Sequence, residues 1–204
     1  MPLLEKTQQR YNHHHKMQEF WTYVTLGFTH ISDIKGYDHI LFIITLCCIY
    51  STRDWKKVLV LVTAFTIGHS LTLLLSALKI IVFSSYIIEI LIPITILITS
   101  LSNLIYTPTK EQQLFHYALA LFFGCIHGMG FSNFFSAISM SDNILVELAS
   151  FNIGLEIGQI LIVILFFTSY TLLNIWKTIK QHDWKIFFSG AGAASSIILL
   201  IERI

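Results

Sequence analysis

Apolar residues occur in long runs separated by short polar segments over most of this 204-residue chain. A helix that crosses a bilayer needs about 20 predominantly apolar residues, and six runs approach or exceed that length. The runs cover residues 36–51, 58–78, 84–106, 114–138, 144–174 and 184–201. A shorter apolar stretch, residues 20–34, is interrupted by His30 and Asp33, so it predicts a half-span or an interfacial helix.

This pattern predicts an all-α, polytopic membrane helix bundle with six spans, or seven if residues 20–34 also cross the bilayer. Residues 1–19 are polar and include a histidine run at positions 13–15, so we expect them to form a solvated N-terminal tail. Residues 20–204 then form a single transmembrane domain, because no long polar stretch interrupts them.

Composition supports a lipid environment and excludes several classes of protein. Hydrophobic residues make up 54% of the chain and charged residues 12%, about half of the roughly 25% that is typical of globular proteins. Thirteen Lys and Arg balance twelve Asp and Glu, so no basic surface is expected to bind nucleic acid. Three cysteines are too few for a disulfide framework.

Basic loops predict how the chain is oriented, because loops rich in Lys and Arg stay in the cytoplasm. The loops after the first, third and fifth runs contain most of the basic residues. They carry Arg53, Lys56, Lys57, Lys110, Lys177, Lys180 and Lys185, whereas the opposite side carries Lys35, Lys79 and Arg203. We therefore expect the first group of loops to be cytoplasmic. The side of the N-terminal tail depends on whether residues 20–34 cross the bilayer, and it stays open.

Several ionisable residues lie in the apolar runs, where a charge costs roughly 2.5–3.5 kcal/mol on insertion scales. They are Asp38, His39, His69, Glu89, His127 and Glu156. Such groups must neutralise, pair or bind a cation. Imidazoles with carboxylates suit borderline divalent ions such as Ni²⁺, Co²⁺ or Zn²⁺ better than Cu(I). The soft candidates, Cys47, Cys48 and Cys125, are interpreted as small apolar helix residues.

Glycine and proline positions predict local features of the helices. Gly154 and Gly158 form a small-xxx-small pair at which another helix can approach closely. Gly128 and Gly130 weaken a helix and permit irregular backbone, which membranes tolerate only around a cavity or buried in protein. Pro93 leaves a backbone carbonyl without its helical donor.

Five blocks of the sequence carry a family resemblance. They are His30-Ile31 with Gly36 and Asp38-His39-Ile40-Leu41-Phe42, Thr66 with His69-Ser70-Leu71-Thr72-Leu73, Glu89 with Ile92 and Asn103, His127-Gly128-Met129-Gly130-Phe131, and Phe151-Asn152-Ile153-Gly154-Leu155-Glu156-Ile157-Gly158-Gln159. Together they resemble the HupE/UreJ family of small bacterial membrane proteins, over about residues 28–174. The chain departs from the family pattern in the spacing before Gly36, in Pro93 where Ala is usual, and in Thr95 where Ser is usual.

The resemblance implies permeation of nickel or cobalt through a bacterial inner membrane. It implies an ion path formed by His30, Asp38, His39, His69, His127 and Glu156. Thr66, Ser70, Glu89, Asn152 and Gln159 are expected to support these residues.

Three functions stay open at this point. The first, which we prefer, is a divalent metal permease without catalytic residues. The second is a membrane-embedded, zinc-dependent hydrolase or transferase in which Glu89 or Glu156 acts as a base and Ser70 polarises the substrate. The third is an accessory protein whose polar residues only join helices. The bilayer and a metal ion are the expected partners, and association with a second copy or an accessory protein is left open.

Overall fold

The computed structural model describes residues 2–81, 84–105, 113–138 and 143–204, with side chains from residue 14 onward. Within these ranges the chain folds into seven α-helices, which confirms the all-α class. They are α1 (Pro2–Ser32), α2 (Asp38–Cys47), α3 (Trp55–Ala77), α4 (Ser85–Ile105), α5 (Gln113–Ile138), α6 (Ile144–Trp176) and α7 (Gln181–Arg203). The side chain of His13 and the loop residue Lys110 lie outside the described part.

Five helices are long and apolar enough to cross a membrane. They are α3 with the preceding 3-10 turn Thr52–Asp54, then α4, α5, α6 and α7. Their outward faces carry large apolar side chains, for example Ile164, Leu165 and Ile201 at 54%, 60% and 71% exposure. Lipid tails are as apolar as these side chains, so the faces suit a bilayer. The chain is an integral membrane protein.

The first predicted span is wrong in its length. Residues 36–51 contain only the ten-residue helix α2, which is about 15 Å long, half of the roughly 30 Å hydrocarbon core. The segment before it, α1, ends at Ser32. Residues 33–37 separate the two helices, and Asp33 accepts a hydrogen bond from the Lys35 backbone N–H at 2.9 Å. One crossing is thus built from two helices instead of one.

The N-terminal segment is helical where a tail was expected. Helix α1 begins at Pro2 and continues through the polar residues into the apolar stretch. Proline is favoured at the first helical position, since its missing N–H has no intrahelical partner there, and residues 3–26 contain neither Gly nor Pro. The division of the chain into a tail at residues 1–19 and a membrane domain at 20–204 stays a prediction.

The helices associate mainly in three pairs: α3 with α5, α1 with α6, and α4 with α7. Glycines bring the first two pairs into backbone contact. Gly124 packs on Phe65 between α3 and α5, and Gly154 packs on Val24 between α1 and α6. The predicted close approach at Gly154 is therefore confirmed. The irregular backbone that Gly128 permits does not occur: α5 is a continuous helix there, and the missing side chain lets α3 approach instead.

The contacts also fix the direction of each helix. We define the upper end of the bundle as the end where α3 ends and α4 begins. Helix α5 runs parallel to α3, since Gly124 faces Phe65 and Gly128 faces Thr72, so it also ends at the upper end. Helix α6 starts there, and α1 runs parallel to it, since Gly154 faces Val24 and Gly158 faces Ile31. The N-terminal segment therefore lies at the upper end.

Candidate metal centre

Three histidines from three different helices converge inside the bundle. His30 comes from the last turn of α1, His39 from the first turn of α2, and His69 from α3. One ligand atom of each lies within 4.8 Å of the others. Their ring centroids are 4.7 Å apart for His30 and His39, 5.6 Å for His30 and His69, and 6.1 Å for His39 and His69. We call these three residues the histidine cluster.

The break between α1 and α2 produces this convergence. It places His30 at the end of one helix and His39 at the start of the next. An unbroken helix would separate two residues nine positions apart by about 13 Å. The short connection instead folds the chain so that the two rings meet. The broken first crossing is therefore what forms the site.

The cluster presents several unpaired nitrogen atoms. Among the residues that the structure describes, Nε2 of His30, Nε2 of His39 and both ring nitrogens of His69 are buried and have no hydrogen-bond partner. His39 Nδ1 is bound instead to Asp38 Oδ1 at 2.9 Å. Leaving a buried polar atom unpaired costs about 1–3 kcal/mol. Residues that only join helices would normally pair these atoms and avoid this cost. A metal site, in contrast, requires nitrogen lone pairs that are not used in hydrogen bonds.

The spacing fits a metal ion of the zinc, nickel or cobalt type. Zinc–nitrogen bonds are about 2.0–2.1 Å long, so two nitrogens of a tetrahedral site lie about 3.3 Å apart. Ligand atoms within 4.8 Å of one another need only small side-chain rotations to reach that distance. The bond between His39 and Asp38 matches the common arrangement in which a carboxylate orients a metal-binding imidazole.

Aromatic side chains enclose the cluster. The His30 ring lies 3.9 Å from the Phe131 ring, and the His69 ring stacks on Phe151 at 6.1 Å between centroids. Phe65 lies against both His39 and His69. These aromatic contacts pack against the imidazole rings, and a small cavity lies on another side of the cluster.

That cavity has a volume of about 210 Å³ and lies beside the cluster. His30, Asp38, His39, Glu89, His127 and Arg203 contribute to its lining. Glu89 lies near the start of α4, at the upper end. Arg203 lies in the last turn of α7 and its Nη1 donates to the Glu89 carbonyl at 2.9 Å, so α7 ends at the upper end as well. The cavity therefore connects the cluster with the upper end of the bundle.

His127 adjoins the cluster without belonging to it. Its ring lies 5.1 Å from that of His39, and its Nε2 is 3.0 Å from Thr95 Oγ1. Its Nδ1 is buried and has no partner in the described part of the chain. His127 thus offers one further nitrogen next to the cavity.

Glu156 is not brought to the cluster. Its Oε1 accepts a hydrogen bond from Thr63 Oγ1 at 2.6 Å, across the interface between α6 and α3. Two supporting pairs lie on the same interface. Thr66 donates to Gln159 at 2.8 Å, and Ser70 donates to Asn152 at 2.6 Å. We call these three pairs the α3–α6 polar contacts.

A comparison with protein families matches residues 6–201 to the family described as HupE / UreJ protein. The match covers nearly the whole chain. This chain belongs to the HupE/UreJ family. The family is generally associated with nickel and cobalt transport. The comparison with curated proteins finds no match, and the comparison with solved structures finds none either.

In this HupE/UreJ protein, sequence reasoning missed the role of Arg203. The residue was noted only as a basic residue near the chain end, but its Nη2 donates to Asp38 Oδ2 at 3.2 Å. It lies beyond the residues that the family comparison matches. The available signal was that Arg203 follows an apolar run and lies on the same predicted side of the bilayer as the segment that contains Asp38. Thr95, noted only as a departure from the pattern, is the partner of His127.

Proposed function

We propose that this HupE/UreJ protein is a permease for a divalent transition metal ion of the nickel or cobalt type. The histidine cluster is its central binding site. The observation that carries the proposal is that three imidazoles from three helices converge with unpaired nitrogens beside a cavity. A purely accessory role is less well supported, because those nitrogens make no hydrogen bond to any described residue.

The chemistry of the site suits transport of its ion. A conducting site must bind well enough to admit an ion and weakly enough to release it. Imidazoles contribute no negative charge, and the carboxylate of Asp38 is offset by the guanidinium of Arg203. The cysteine thiols do not belong to the cluster of described residues, so the donors are nitrogen, which suits Ni²⁺, Co²⁺ and Zn²⁺.

The proposed path begins at the upper end. Glu89 is exposed on the wall of the cavity, where its carboxylate attracts a cation. The ion then passes Asp38 and reaches the cluster, with His127 as a neighbouring donor. The α3–α6 polar contacts, which include Glu156, form the onward part of the path. Gln159 supports this part through its Oε1, which accepts the hydrogen bond from Thr66.

Uptake into proteoliposomes tests the proposal. Purified protein is reconstituted, and entry of Ni²⁺, Co²⁺ and Zn²⁺ is measured against empty vesicles. His69→Ala removes a cluster histidine, and His182→Ala is the matched control, because His182 is exposed on α7 and interacts with Asp183. We expect uptake that is lost in the first variant and retained in the second. Uptake equal to that of empty vesicles for all three ions would rule the proposal out.

A membrane-embedded, zinc-dependent hydrolase is the second candidate. Three histidines, one of them oriented by a carboxylate, are also the ligand set of catalytic zinc sites, and Glu89 lines the same cavity. Glu156 is bound to Thr63 away from that cavity, so it is less suited to act as the base. One equivalent of zinc that survives dialysis against a chelator, without any uptake, would favour this candidate.

A further inference from the structure

We propose that Arg203 is a positioning residue of the metal site: it holds Asp38, which in turn holds His39 with Nε2 directed at the other two histidines. The inference rests on the proposed metal site. Arg203 is not itself a ligand, because a guanidinium has no free lone pair for a metal.

Pro93 provides the acceptor that anchors Arg203. Pro93 lies inside α4 and has no N–H, so the carbonyl of Glu89, four residues earlier, loses its helical donor. Nη1 of Arg203 donates to this carbonyl at 2.9 Å. The departure from the family pattern at Pro93 thus creates a fixed acceptor at the upper end of α4. One arm of the guanidinium is held there.

Arg203, held in this way, also holds Asp38. Nη2 of Arg203 donates to Asp38 Oδ2 at 3.2 Å. The other carboxylate oxygen, Oδ1, accepts from His39 Nδ1 at 2.9 Å and from the His39 backbone N–H at 2.8 Å. Both oxygens of a buried carboxylate are therefore engaged, and its orientation is determined.

The contact with Asp38 fits one tautomer of His39. An ionised carboxylate only accepts hydrogen bonds, so in the neutral tautomer that fits this contact Nδ1 of His39 carries the proton and Nε2 carries the lone pair. Nε2 is the nitrogen that is buried without a partner among the described residues. Loss of the Arg203 bond frees Asp38 to rotate, and His39 then loses the constraint that directs this lone pair into the cluster.

Lysine does not reproduce this arrangement. The planar guanidinium donates in two fixed directions at once, whereas an ammonium group is a point charge on a flexible stem. If Arg203 acted only through its charge, its replacement would change the metal affinity in the opposite direction from that expected if it positions Asp38. Removing a positive charge near the site strengthens binding of a dication by Coulomb's law, whereas loss of positioning weakens it.

The experiment is a titration of the purified, full-length protein with Co²⁺, followed by its visible absorption. We expect Arg203→Gln to weaken binding about tenfold, which is the lower limit for loss of an outer-shell partner, and to change the cobalt spectrum. Arg203→Lys should also weaken binding although the charge is retained. Glu202→Gln is the matched control, because Glu202 is exposed and adjacent in α7, and it should bind Co²⁺ like the parent.

Two further variants test the order of the chain of contacts. Because Arg203 acts through Asp38, the double variant Asp38→Asn with Arg203→Gln should bind no more weakly than Asp38→Asn alone. Pro93→Ala restores an N–H that competes for the Glu89 carbonyl, and it should weaken Co²⁺ binding while Arg203 is retained. This variant keeps the inference testable if Arg203→Gln fails to fold.

The outcomes separate this inference from the proposed function. If the parent protein binds Co²⁺ and Arg203→Gln binds it equally or more tightly, the positioning role is wrong and the metal site stands. Fully additive losses in the double variant also overturn it. If the parent binds no Co²⁺, Ni²⁺ or Zn²⁺, the metal site itself is wrong, and the role of Arg203 is wrong with it.

Discussion

Gly154 lies where α6 packs against α1, and its replacement by alanine tests how firmly this packing holds His30. A Cβ at position 154 would lie 2.7 Å from the carbonyl carbon of Val24 and 2.9 Å from the backbone nitrogen of Phe28, whereas ordinary contact begins at 3.4 Å. The obstacle is backbone, so no change of rotamer removes it. Helix α1 must move away from α6.

The expected cost follows from this geometry. Overpacking a well-packed contact costs typically 1–3 kcal/mol, and we expect the upper part of this range, about 3 kcal/mol, because backbone atoms are involved. For a chain of this length each kcal/mol lowers the unfolding temperature by roughly 2–4 °C. Gly190→Ala is the matched control. A Cβ there meets nothing within 4 Å, so alanine should stabilise α7 by about 0.5–1 kcal/mol through its helix propensity.

The same displacement reaches the metal site. His30 follows Phe28 by two residues on α1, so a shift of this helix moves its ring away from His39 and His69. Thermal unfolding in detergent measures the stability, and Co²⁺ titration measures the site. We expect Gly154→Ala to lower both the unfolding temperature and the affinity, and Gly190→Ala to lower neither. A Gly154→Ala protein with parental stability and parental affinity would refute the described packing of α1 on α6.

Three further predictions concern single side chains. Asp38→Asn should weaken Co²⁺ binding about 10–100-fold, because it removes the carboxylate that orients a ligand; affinity within twofold of the parent contradicts this. Glu156→Gln should leave Co²⁺ affinity unchanged, since Glu156 is bound to Thr63 outside the cluster, but should slow uptake into proteoliposomes; weakened binding would place Glu156 in the central site. Thr95→Val should leave Nε2 of His127 without its partner and lower the free energy of unfolding by about 1–3 kcal/mol; an unchanged thermal unfolding curve would show that this bond contributes nothing.

Hydrophobic runs predicted the five long helices well, because a helix surrounded by lipid needs a continuous apolar surface. Hydropathy did not predict that the first crossing is divided between two helices. Residues 36–51 are apolar enough for a span, but hydropathy alone does not reveal that the helix starts at Asp38 and ends at Cys47. Asp38, the first residue of α2, is buried and paired with a residue 165 positions later in the chain, a contact that hydropathy does not show.

The site was predictable in part, because ionisable residues are costly to bury in an apolar helix. Burial cost identified His39, His69 and His127 as residues that need a partner, and the family resemblance added His30. Helical spacing shows which residues of one helix share a face, but not which neighbouring helix that face meets. Spacing therefore did not show that Glu156 contacts Thr63 or that Arg203 contacts Asp38.

X-ray absorption at the nickel edge of the Ni²⁺-loaded protein tests most directly whether three imidazoles from α1, α2 and α3 bind one ion. The account predicts outer-shell scattering from three imidazole rings, falling to two in His69→Ala and staying at three in His182→Ala. A spectrum with oxygen ligands only, or one that is unchanged when His69 is replaced, would contradict it.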